Sequence, residues 1–290
     1  MLRERFAAMG TTAEILLEAP DGRTARAAVA RARDELMRLE SLLSRFRTDS
    51  ELSRLNRLRY LRAGPDLARV VRMALDLRRR TGGRFDPTVG RVVAACGYDR
   101  TFDEIDCDDP RPLPPGGAVQ GTVLLGGDGW IGLGPGADLD LGAIAKGDAA
   151  DRACAIAGEA GPCLVSVGGD IAVSAPRSEG PWPVGIDAPG GAIVLDLRRG
   201  ALATSGTDRR RWSRDGREAH HAIAPATGLP AATDLVRATA VAATCAEADA
   251  LATALLVAGA AEAARLADEW GVPAALVSRD GRLRLGGGLG

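Results

Sequence analysis

One segment near the C-terminal end constrains the fold more than any other, because it predicts a helix buried on nearly all sides. Residues 245–258 are apolar, with Glu247, Asp249 and Thr253 as the exceptions. Thr244 and Glu247 form a Thr-x-x-Glu capping box, which fixes the first turn. A helix that is apolar around its whole circumference packs inside a protein core. We therefore expect the rest of the chain to fold around it.

The two polar residues in the middle of this helix, Asp249 and Thr253, share one face because they are spaced i, i+4. A buried carboxylate costs several kcal/mol unless it is paired or binds a cation. A carboxylate, a hydroxyl and nearby carbonyl oxygens are hard ligands that suit Mg²⁺. The alternative is an aspartate that favours the helix dipole and a threonine bonded to its own backbone. The spacing leaves both interpretations open.

Lys146 is the only lysine in the chain, and the other residues among its 37 Lys and Arg are arginine. An ammonium is a compact point charge and a guanidinium is a broad planar fork, so a tight site can distinguish them. Carboxylates and small residues surround this lysine in the segment Asp138-Leu-Asp140-Leu-Gly-Ala-Ile-Ala-Lys146-Gly147, and Asp151 follows. This composition indicates a site, although a chance lysine on a solvated helix would look the same.

Four further motifs carry residues that could line a site, and each also fits an ordinary turn. Val167-Gly168-Gly169-Asp170 is a strand that runs into paired glycines, which let backbone N–H groups approach a phosphate. The only histidines, His220 and His221, are adjacent and precede Pro225-x-Thr227-Gly228, so on a strand at most one would point into a site as a general base. The others are Ala203-Thr204-Ser205-Gly206 and the loop Gly82-Gly83-Arg84-Phe85-Asp86-Pro87-Thr88-Val89-Gly90.

Size and composition limit the classes of protein that remain. The chain has 290 residues, 46% of them hydrophobic and 26% charged, as expected for a globular protein that we predict to be a single domain over residues 1–290. A net charge of −1 argues against a nucleic-acid-binding surface. Five cysteines without a CxxC pair fit a reducing compartment. Without a signal peptide or a membrane span, we expect a cytoplasmic protein.

Strand and helix patterns alternate irregularly, which favours an α+β fold with a mostly antiparallel sheet and packed helices over a doubly wound fold. The segment at 98–120 is predicted to be a surface loop, and a turn is predicted at 21–23. Predicted helices cover 24–43, 66–80, 146–159, 245–258 and 260–269. Predicted strands cover 12–19, 122–125, 130–133, 164–167, 182–186, 192–197, 201–204, 238–243 and 274–278.

Taken in order, the motifs resemble those of the ApbE family of FAD:protein FMN transferases. The similarity begins with Met9-Gly10-Thr11 and continues with one signature made of Ser44-Arg45-Phe46 and Ser50-Glu51-Leu52-Ser53-Arg54-Leu55-Asn56. It then includes Phe85 to Gly90, Asp140 to Gly147, Val167 to Asp170, Ala203 to Gly206, His221 with Pro225-x-Thr227-Gly228, and Ala248 to Ala254. Eight motifs in register over nearly the whole chain form a specific signal.

The resemblance implies an ApbE-like fold and a Mg²⁺-dependent enzyme that uses FAD as its substrate. The FMN half would pass to a threonine or serine hydroxyl of an acceptor protein, with release of AMP. The implied metal ligands are the Asp249 carboxylate, the Thr253 hydroxyl and backbone oxygens of Ala143 and Ala252. The implied FAD-binding residues are Met9, Arg84, Phe85, Asp86, Asp140, Lys146 and Ile223. The catalytic residues would be His221 as the acid or base, Lys146 and Asp249.

Two positions depart from the family pattern. Ala224 stands where an aspartate usually precedes Pro-x-Thr-Gly, and Cys96-Gly97-Tyr98 replaces a more usual Trp-Gly-Phe/Tyr. Two other functions stay open at this point. One is an FAD pyrophosphatase that yields free FMN and AMP, and the other is a non-catalytic protein that binds or delivers flavin.

Overall fold

A computed structural model describes residues 1–289 of the chain. In chain order its strands are β1 (Leu2–Ala8), β2 (Thr11–Leu17), β3 (Tyr60–Arg62), β4 (Asp108–Asp109), β5 (Val123–Leu125), β6 (Trp130–Leu133), β7 (Cys163–Val167), β8 (Asp170–Val173), β9 (Trp182–Ala188), β10 (Gly191–Leu197), β11 (Gly200–Gly206), β12 (Arg211–Arg214), β13 (Arg217–His220), β14 (Ile223–Ala224), β15 (Leu229–Pro230), β16 (Leu235–Ala242), β17 (Ala274–Ser278) and β18 (Leu283–Gly286). The α-helices are α1 (Gly22–Leu43), α2 (Glu51–Leu58), α3 (Pro65–Arg80), α4 (Gly90–Ala95), α5 (Ala145–Gly158), α6 (Cys245–Ala258) and α7 (Ala260–Trp270), and two short 3₁₀ turns lie at Phe102–Glu104 and Gly127–Gly129.

The framework is an eight-stranded sheet in the order β1-β2-β7-β8-β11-β16-β17-β18. Every neighbouring pair in it is antiparallel. Smaller two- and three-stranded sheets surround it, and the only parallel strand pair among residues 1–289 is β4 with β12. The predicted α+β class with a mostly antiparallel sheet is confirmed.

Helices α1, α5 and α6 cover one face of the large sheet. Apolar side chains of α1, α5, β2 and β7 form the main core, while α6 and α7 close a second core over β16 and β17. The hairpin β9–β10 covers part of the opposite face through Trp182, Val184 and Leu197. Helix α6 is therefore buried on nearly all sides, as its apolar circumference predicts.

Several elements differ from the sequence predictions. The predicted turn at 21–23 is the start of α1, because the Asp21 side chain accepts hydrogen bonds from the N–H groups of Arg23 and Thr24 and so begins the helix at Gly22. The sequence patterns missed β1, whose inward and outward residues alternate at the exposed sheet edge, and the short helix α2. The segment at 98–120 is largely irregular, with one 3₁₀ turn and β4. Within residues 1–289 no helix combines the length and apolar character needed to cross a bilayer.

Candidate active site

The ammonium of Lys146 lies between two buried carboxylates. Its Nζ is 2.8 Å from Asp170 Oδ2 and 2.9 Å from Asp249 Oδ2, and it donates to the Gly142 carbonyl oxygen at 3.1 Å. Both aspartates are only 2% exposed. Three sequence motifs that are far apart along the chain thus meet at one nitrogen atom. Lys146 and Asp249 were predicted site residues, whereas Asp170 was recognised only as part of the Gly-Gly-Asp motif.

The backbone brings these three side chains together through close approaches that only small residues allow. Lys146 stands in the first turn of α5, and the next residue, Gly147, contacts the start of α6 so closely that a Cβ would lie 2.3 Å from the Cys245 carbonyl oxygen. Asp170 begins β8 directly after the turn at Gly168 and Gly169, whose φ angles are +67° and +101°. Glycine adopts such left-handed conformations without steric cost. The turn therefore fixes the position of Asp170.

Asp151, one turn further along α5, ties the two helices together. Its carboxylate oxygens accept hydrogen bonds from the backbone N–H groups of Cys245 (2.8 Å) and Ala246 (3.0 Å). These are among the first N–H groups of α6, which have no partner inside the helix. Burial raises the pKa of Asp151 to about 6, although these two hydrogen bonds oppose the rise. The contact positions α6, and with it Asp249, against the lysine-bearing helix.

The carboxylates and the lysine perturb one another strongly. Burial raises the pKa of Asp249 to about 7, the negative charge of Asp170 adds to the increase, and Lys146 opposes it. Burial alone would lower the pKa of Lys146, but the charges of Asp170 and Asp249 outweigh it and raise that pKa above its ordinary value. The lysine is therefore a permanent cation at neutral pH. Strongly perturbed groups of this kind are common at functional sites.

The four predicted metal-binding residues lie on two elements that meet at Lys146. Ala143 is in the turn before α5, and Ala252 lies on α6 between Asp249 and Thr253. The Thr253 hydroxyl is 2.7 Å from the Ser205 hydroxyl, which comes from the Ala203–Gly206 motif. Their coordination of a metal stays a prediction.

The donor set at this position fits Mg²⁺. Among residues 1–289 no group of three or more His, Cys, Asp or Glu side chains is placed to hold a metal. Mg²⁺ is usually bound by one or two carboxylates together with water and substrate phosphate oxygens, so such a group is not required. Asp249 supplies a buried carboxylate whose only basic partner in the described part of the chain is Lys146.

Asp140, predicted to bind FAD, is held by its own neighbours beside this centre. One carboxylate oxygen is 2.9 Å from Arg45 Nε, and the other accepts a hydrogen bond from Gly142 N at 2.7 Å. The Asp140 N–H donates to the Pro87 carbonyl oxygen at 2.8 Å, so the 84–90 loop lies against this segment. Asn56, from the Ser-Glu-Leu-Ser signature, forms two hydrogen bonds with the backbone of Leu139, at 2.8 and 2.9 Å.

The predicted loop residues Arg84, Phe85 and Asp86 have mainly internal contacts. Arg84 forms an ion pair with Glu262 on α7, and Phe85 is buried in the main core. The Asp86 carboxylate is 3.0 Å from an Arg78 nitrogen and accepts two hydrogen bonds from Thr88. These contacts make the loop stiff. Its predicted role in FAD binding stays a prediction.

His221, the predicted acid or base, lies in the bend after β13, and its ring packs edge-on to Tyr98 with the ring centroids 6.3 Å apart. Burial lowers the pKa of His221 to about 3, and the charges of Arg210, His220 and Lys146 add to the decrease. Its Nδ1 has no hydrogen-bond partner within residues 1–289. His220 points elsewhere, with Nε2 3.2 Å from the Ala231 carbonyl oxygen. The Nδ1 atom of His220 is likewise buried without a hydrogen-bond partner within residues 1–289, so the influence of the Lys146 charge on the pKa of His221 is what associates His221 with the lysine.

The last two predicted FAD-binding residues lie on separate elements. Ile223, on β14, is buried in a small core with Tyr98 and Trp212. Met9 occupies the tight turn between β1 and β2 with φ of +57°, which places it next to the Gly168 turn because Gly168 N donates to the Thr12 carbonyl oxygen at 3.0 Å.

A cluster of aromatic residues around Arg45 was not predicted from the sequence. The Arg45 guanidinium carbon is 4.2 Å from the Phe46 ring centroid and 4.6 Å from that of Tyr98, and Tyr98 also packs against Trp212. The Arg45 Nη2 atom is buried and has no hydrogen-bond partner among residues 1–289. The cluster connects Asp140 with His221. Arg45 and Phe46 belong to the Ser-x-Phe motif, which is the sequence signal that could have indicated this cluster.

Comparison with known proteins decides the family. A profile of the ApbE family matches residues 9–276, which is most of the chain. The chain belongs to the ApbE family. A curated relative, the FAD:protein FMN transferase of Treponema pallidum, is 33% identical over 289 aligned residues that cover 88% of this chain and 78% of the relative. The corresponding transferase of Salmonella typhimurium is 28% identical and covers 94% of this chain and 83% of its own length.

The fold leads to the same family. The crystal structure of the ApbE protein from Thermotoga maritima superposes with a TM-score of 0.82 at 26% identity, over 98% of this chain and 96% of that one. The predicted membership of the ApbE family is thereby confirmed. The predicted class of enzyme, an FAD:protein FMN transferase, agrees with the names that the curated ApbE relatives carry.

Proposed function

We propose that this chain transfers FMN from FAD to a threonine or serine hydroxyl of an acceptor protein, in a Mg²⁺-dependent reaction that releases AMP. The observation that carries the proposal is the single lysine held between two buried aspartates from separate ApbE motifs. A permanent cation can bind the diphosphate of the substrate, and buried carboxylates beside it can bind a divalent cation. The names of the curated relatives support the same flavin transfer.

Phosphoryl transfer depends mainly on positioning and on neutralising the charge of the phosphate oxygens. Asp249, Thr253 and the backbone oxygens of Ala143 and Ala252 would hold Mg²⁺, which supplies part of that neutralising charge when bound. Lys146 binds a diphosphate oxygen and supplies the rest. The acceptor hydroxyl oxygen forms a bond to the FMN phosphorus, the bridging P–O bond breaks, and AMP leaves.

His221 takes the proton of the acceptor hydroxyl. Because its pKa is lowered, its ring is neutral at pH 7 and a ring nitrogen is free to accept a proton. Negative charge on a bound diphosphate raises the pKa of a nearby imidazole, so His221 becomes a better base once FAD is bound. A positioned general base contributes about 10²- to 10⁴-fold to such a step. A His221→Ala variant is expected to lose rate within that range.

The experiment that tests the proposal follows both products. The protein is incubated with FAD, Mg²⁺ and a candidate acceptor, AMP is quantified by chromatography, and the acceptor is weighed by mass spectrometry. Transfer gives AMP together with an acceptor heavier by one FMN. AMP with free FMN and an unchanged acceptor would instead assign an FAD pyrophosphatase, and FAD binding without AMP would leave a flavin-binding protein. An Asp249→Ala variant should release no AMP, and an unchanged rate would exclude Asp249 from the metal site.

A further inference from the structure

The Lys146 ammonium has three close oxygen neighbours. It donates hydrogen bonds to Asp249 and to the Gly142 carbonyl, and it forms an ion pair with Asp170, whose Oδ2 has no hydrogen-bond partner within residues 1–289. An ammonium carries three N–H groups, and Nζ has contacts with Asp170 Oδ2, Asp249 Oδ2 and the Gly142 carbonyl oxygen at 2.8, 2.9 and 3.1 Å. These are two carboxylates and one carbonyl, all hard oxygen atoms. The lysine nitrogen therefore occupies a position that is built like a cation site.

Two of these contacts belong to the same place as the proposed metal ligands. Asp249 is itself one of those ligands, and the Gly142 carbonyl directly precedes Ala143. A divalent ion on the Asp249 carboxylate would stand within a few ångströms of the ammonium, in a buried environment where like charges repel strongly. A divalent ion bound through Asp249 Oδ2 would compete directly with the ammonium, which contacts that oxygen at 2.9 Å.

We propose that Lys146 is an internal cation that occupies the Asp249 carboxylate in the metal-free protein and yields it to Mg²⁺. Asp170 retains the lysine during this exchange, since within residues 1–289 it has no other basic partner. The inference rests on the Mg²⁺ dependence proposed above. It adds that metal binding and release of the ammonium from Asp249 are one coupled event, which frees the lysine for the diphosphate.

The exchange explains how the metal-free fold tolerates two carboxylates at this position. Unpaired buried carboxylates are strongly unfavourable, and without the lysine Asp170 and Asp249 would have no cation among the described residues. The ammonium is compact enough to lie against both at once and to leave one of them by rotation of its flexible stem. The structure thus keeps the metal ligand oriented before the metal arrives.

The presence of a single lysine makes the proposal testable without any mutation. Protein labelled with ¹⁵N at the lysine side chain gives one ammonium resonance, that of Lys146. Mg²⁺ alone is titrated into this sample, and its affinity is measured in parallel by calorimetry. We expect the resonance to shift with the calorimetric Kd and its protons to exchange with water at least several-fold faster, because one hydrogen-bond acceptor is lost. KCl at matched ionic strength should leave the resonance in place.

Two results of this titration would overturn the inference. One is calorimetric binding of Mg²⁺ with an unchanged Lys146 resonance, which would place the metal away from the lysine. The other is no calorimetric Mg²⁺ binding at millimolar concentrations. An Asp249→Asn variant is the control, and its lysine resonance should not respond to Mg²⁺. Failure of the proposed function is a separate result, namely that the wild-type protein with FAD, Mg²⁺ and acceptor releases no AMP.

A variant without the internal cation gives an independent readout. If the lysine occupies Asp249 nine-tenths of the time or more, Lys146→Met should bind Mg²⁺ at least about tenfold more tightly, because the competing occupant is gone. Should this variant fail to fold, Lys146→Met combined with Asp170→Asn removes the unpaired second carboxylate and gives the same comparison against Asp170→Asn alone. Equal or weaker Mg²⁺ affinity in the folded variant would refute competition by the lysine.

Discussion

Asp249 offers a test in which stability and activity should change in opposite directions. Replacing it by asparagine preserves the shape of the side chain and removes its negative charge. The substitution should abolish FMN transfer, because a ligand of the proposed metal site is lost. It should also stabilise the metal-free protein at pH 8, because ionised Asp249 is buried beside Asp170 at a cost. Active sites commonly carry such destabilising groups.

The size of the effect follows from the pKa. Burial raises the pKa of Asp249 from 3.8 to about 7, and one pKa unit corresponds to about 1.4 kcal/mol, which gives an upper bound of about 4 kcal/mol. That shift already includes the opposing attraction of Lys146. The expected change in unfolding free energy at pH 8 is therefore a gain of at most about 4 kcal/mol.

The sign of the pH dependence is fixed by the same shift. A carboxyl group whose pKa is higher in the folded state binds its proton more tightly there, so this group does not lower stability below about pH 3.8 and lowers it progressively up to about pH 7. The advantage of Asp249→Asn should therefore be small at pH 4.5 and full at pH 8. Millimolar Mg²⁺ should reduce it at pH 8, since only the wild-type protein gains from binding the metal.

Urea denaturation followed by the fluorescence of the four tryptophans measures this difference at both pH values. Asp148→Asn is the matched control. Asp148 is 3% exposed on the neighbouring helix and is paired with Arg69 at 2.9 Å, so its replacement should destabilise the protein at pH 8. A less stable Asp249→Asn variant at pH 8, or a difference that does not change between pH 4.5 and 8, would refute the reasoning.

Three further substitutions test the geometry around the site. Lys146→Arg should lower the rate of AMP release about 10- to 100-fold with an unchanged circular dichroism spectrum, since misplacement by about 1 Å costs that much; a wild-type rate would make the lysine dispensable. Gly147→Ala places a Cβ 2.3 Å from the Cys245 carbonyl oxygen and should lower the unfolding free energy by about 1–3 kcal/mol, whereas Gly117→Ala, which meets no atom within 4 Å, should be neutral. Asp151→Ala leaves the first two amides of α6 without their acceptor and should cost about 1–3 kcal/mol; unchanged hydrogen exchange at those amides would contradict the proposed positioning role.

Of all the elements, the helix that carries Asp249 was predicted most accurately from local sequence signals. The predicted bounds of α6 are those observed, and the Thr244 side chain accepts the hydrogen bond of Glu247 N as the capping box requires. Local sequence signals were weaker for elements whose formation depends on tertiary packing. The edge strand β1 has no continuous apolar run, and α2 depends on Ser50, whose hydroxyl caps the helix by accepting from Ser53 N.

The implied metal ligands, Ala143 beside Lys146 and Asp249 on α6, already joined two remote segments in one site, but the other residues around the lysine were not predicted. Lys146 and Asp249 are 103 positions apart and meet because α5 crosses α6 at Gly147. The sequence motifs contained Asp170 and Arg45 without indicating their partners. Asp170 pairs with Lys146 because of the order of strands in the sheet. Arg45 pairs with Asp140, whose segment lies against the 84–90 loop. Contacts over such separations depend on the whole topology.

The geometry also explains why arginine, the basic residue used everywhere else in this chain, is absent from position 146. The three oxygens around Nζ lie at 2.8–3.1 Å from a single atom, so the site is built for a point charge. A guanidinium spreads its donors over three nitrogens in one plane and could not direct them to a common centre. The helix crossing at Gly147 leaves no room for the backbone to retreat and admit the larger group. The ammonium can leave Asp249 and keep Asp170 by a rotation about its single nitrogen. A planar guanidinium could not make this exchange. The exclusion of arginine is therefore a consequence of the same close packing that brings the lysine and the metal ligand together.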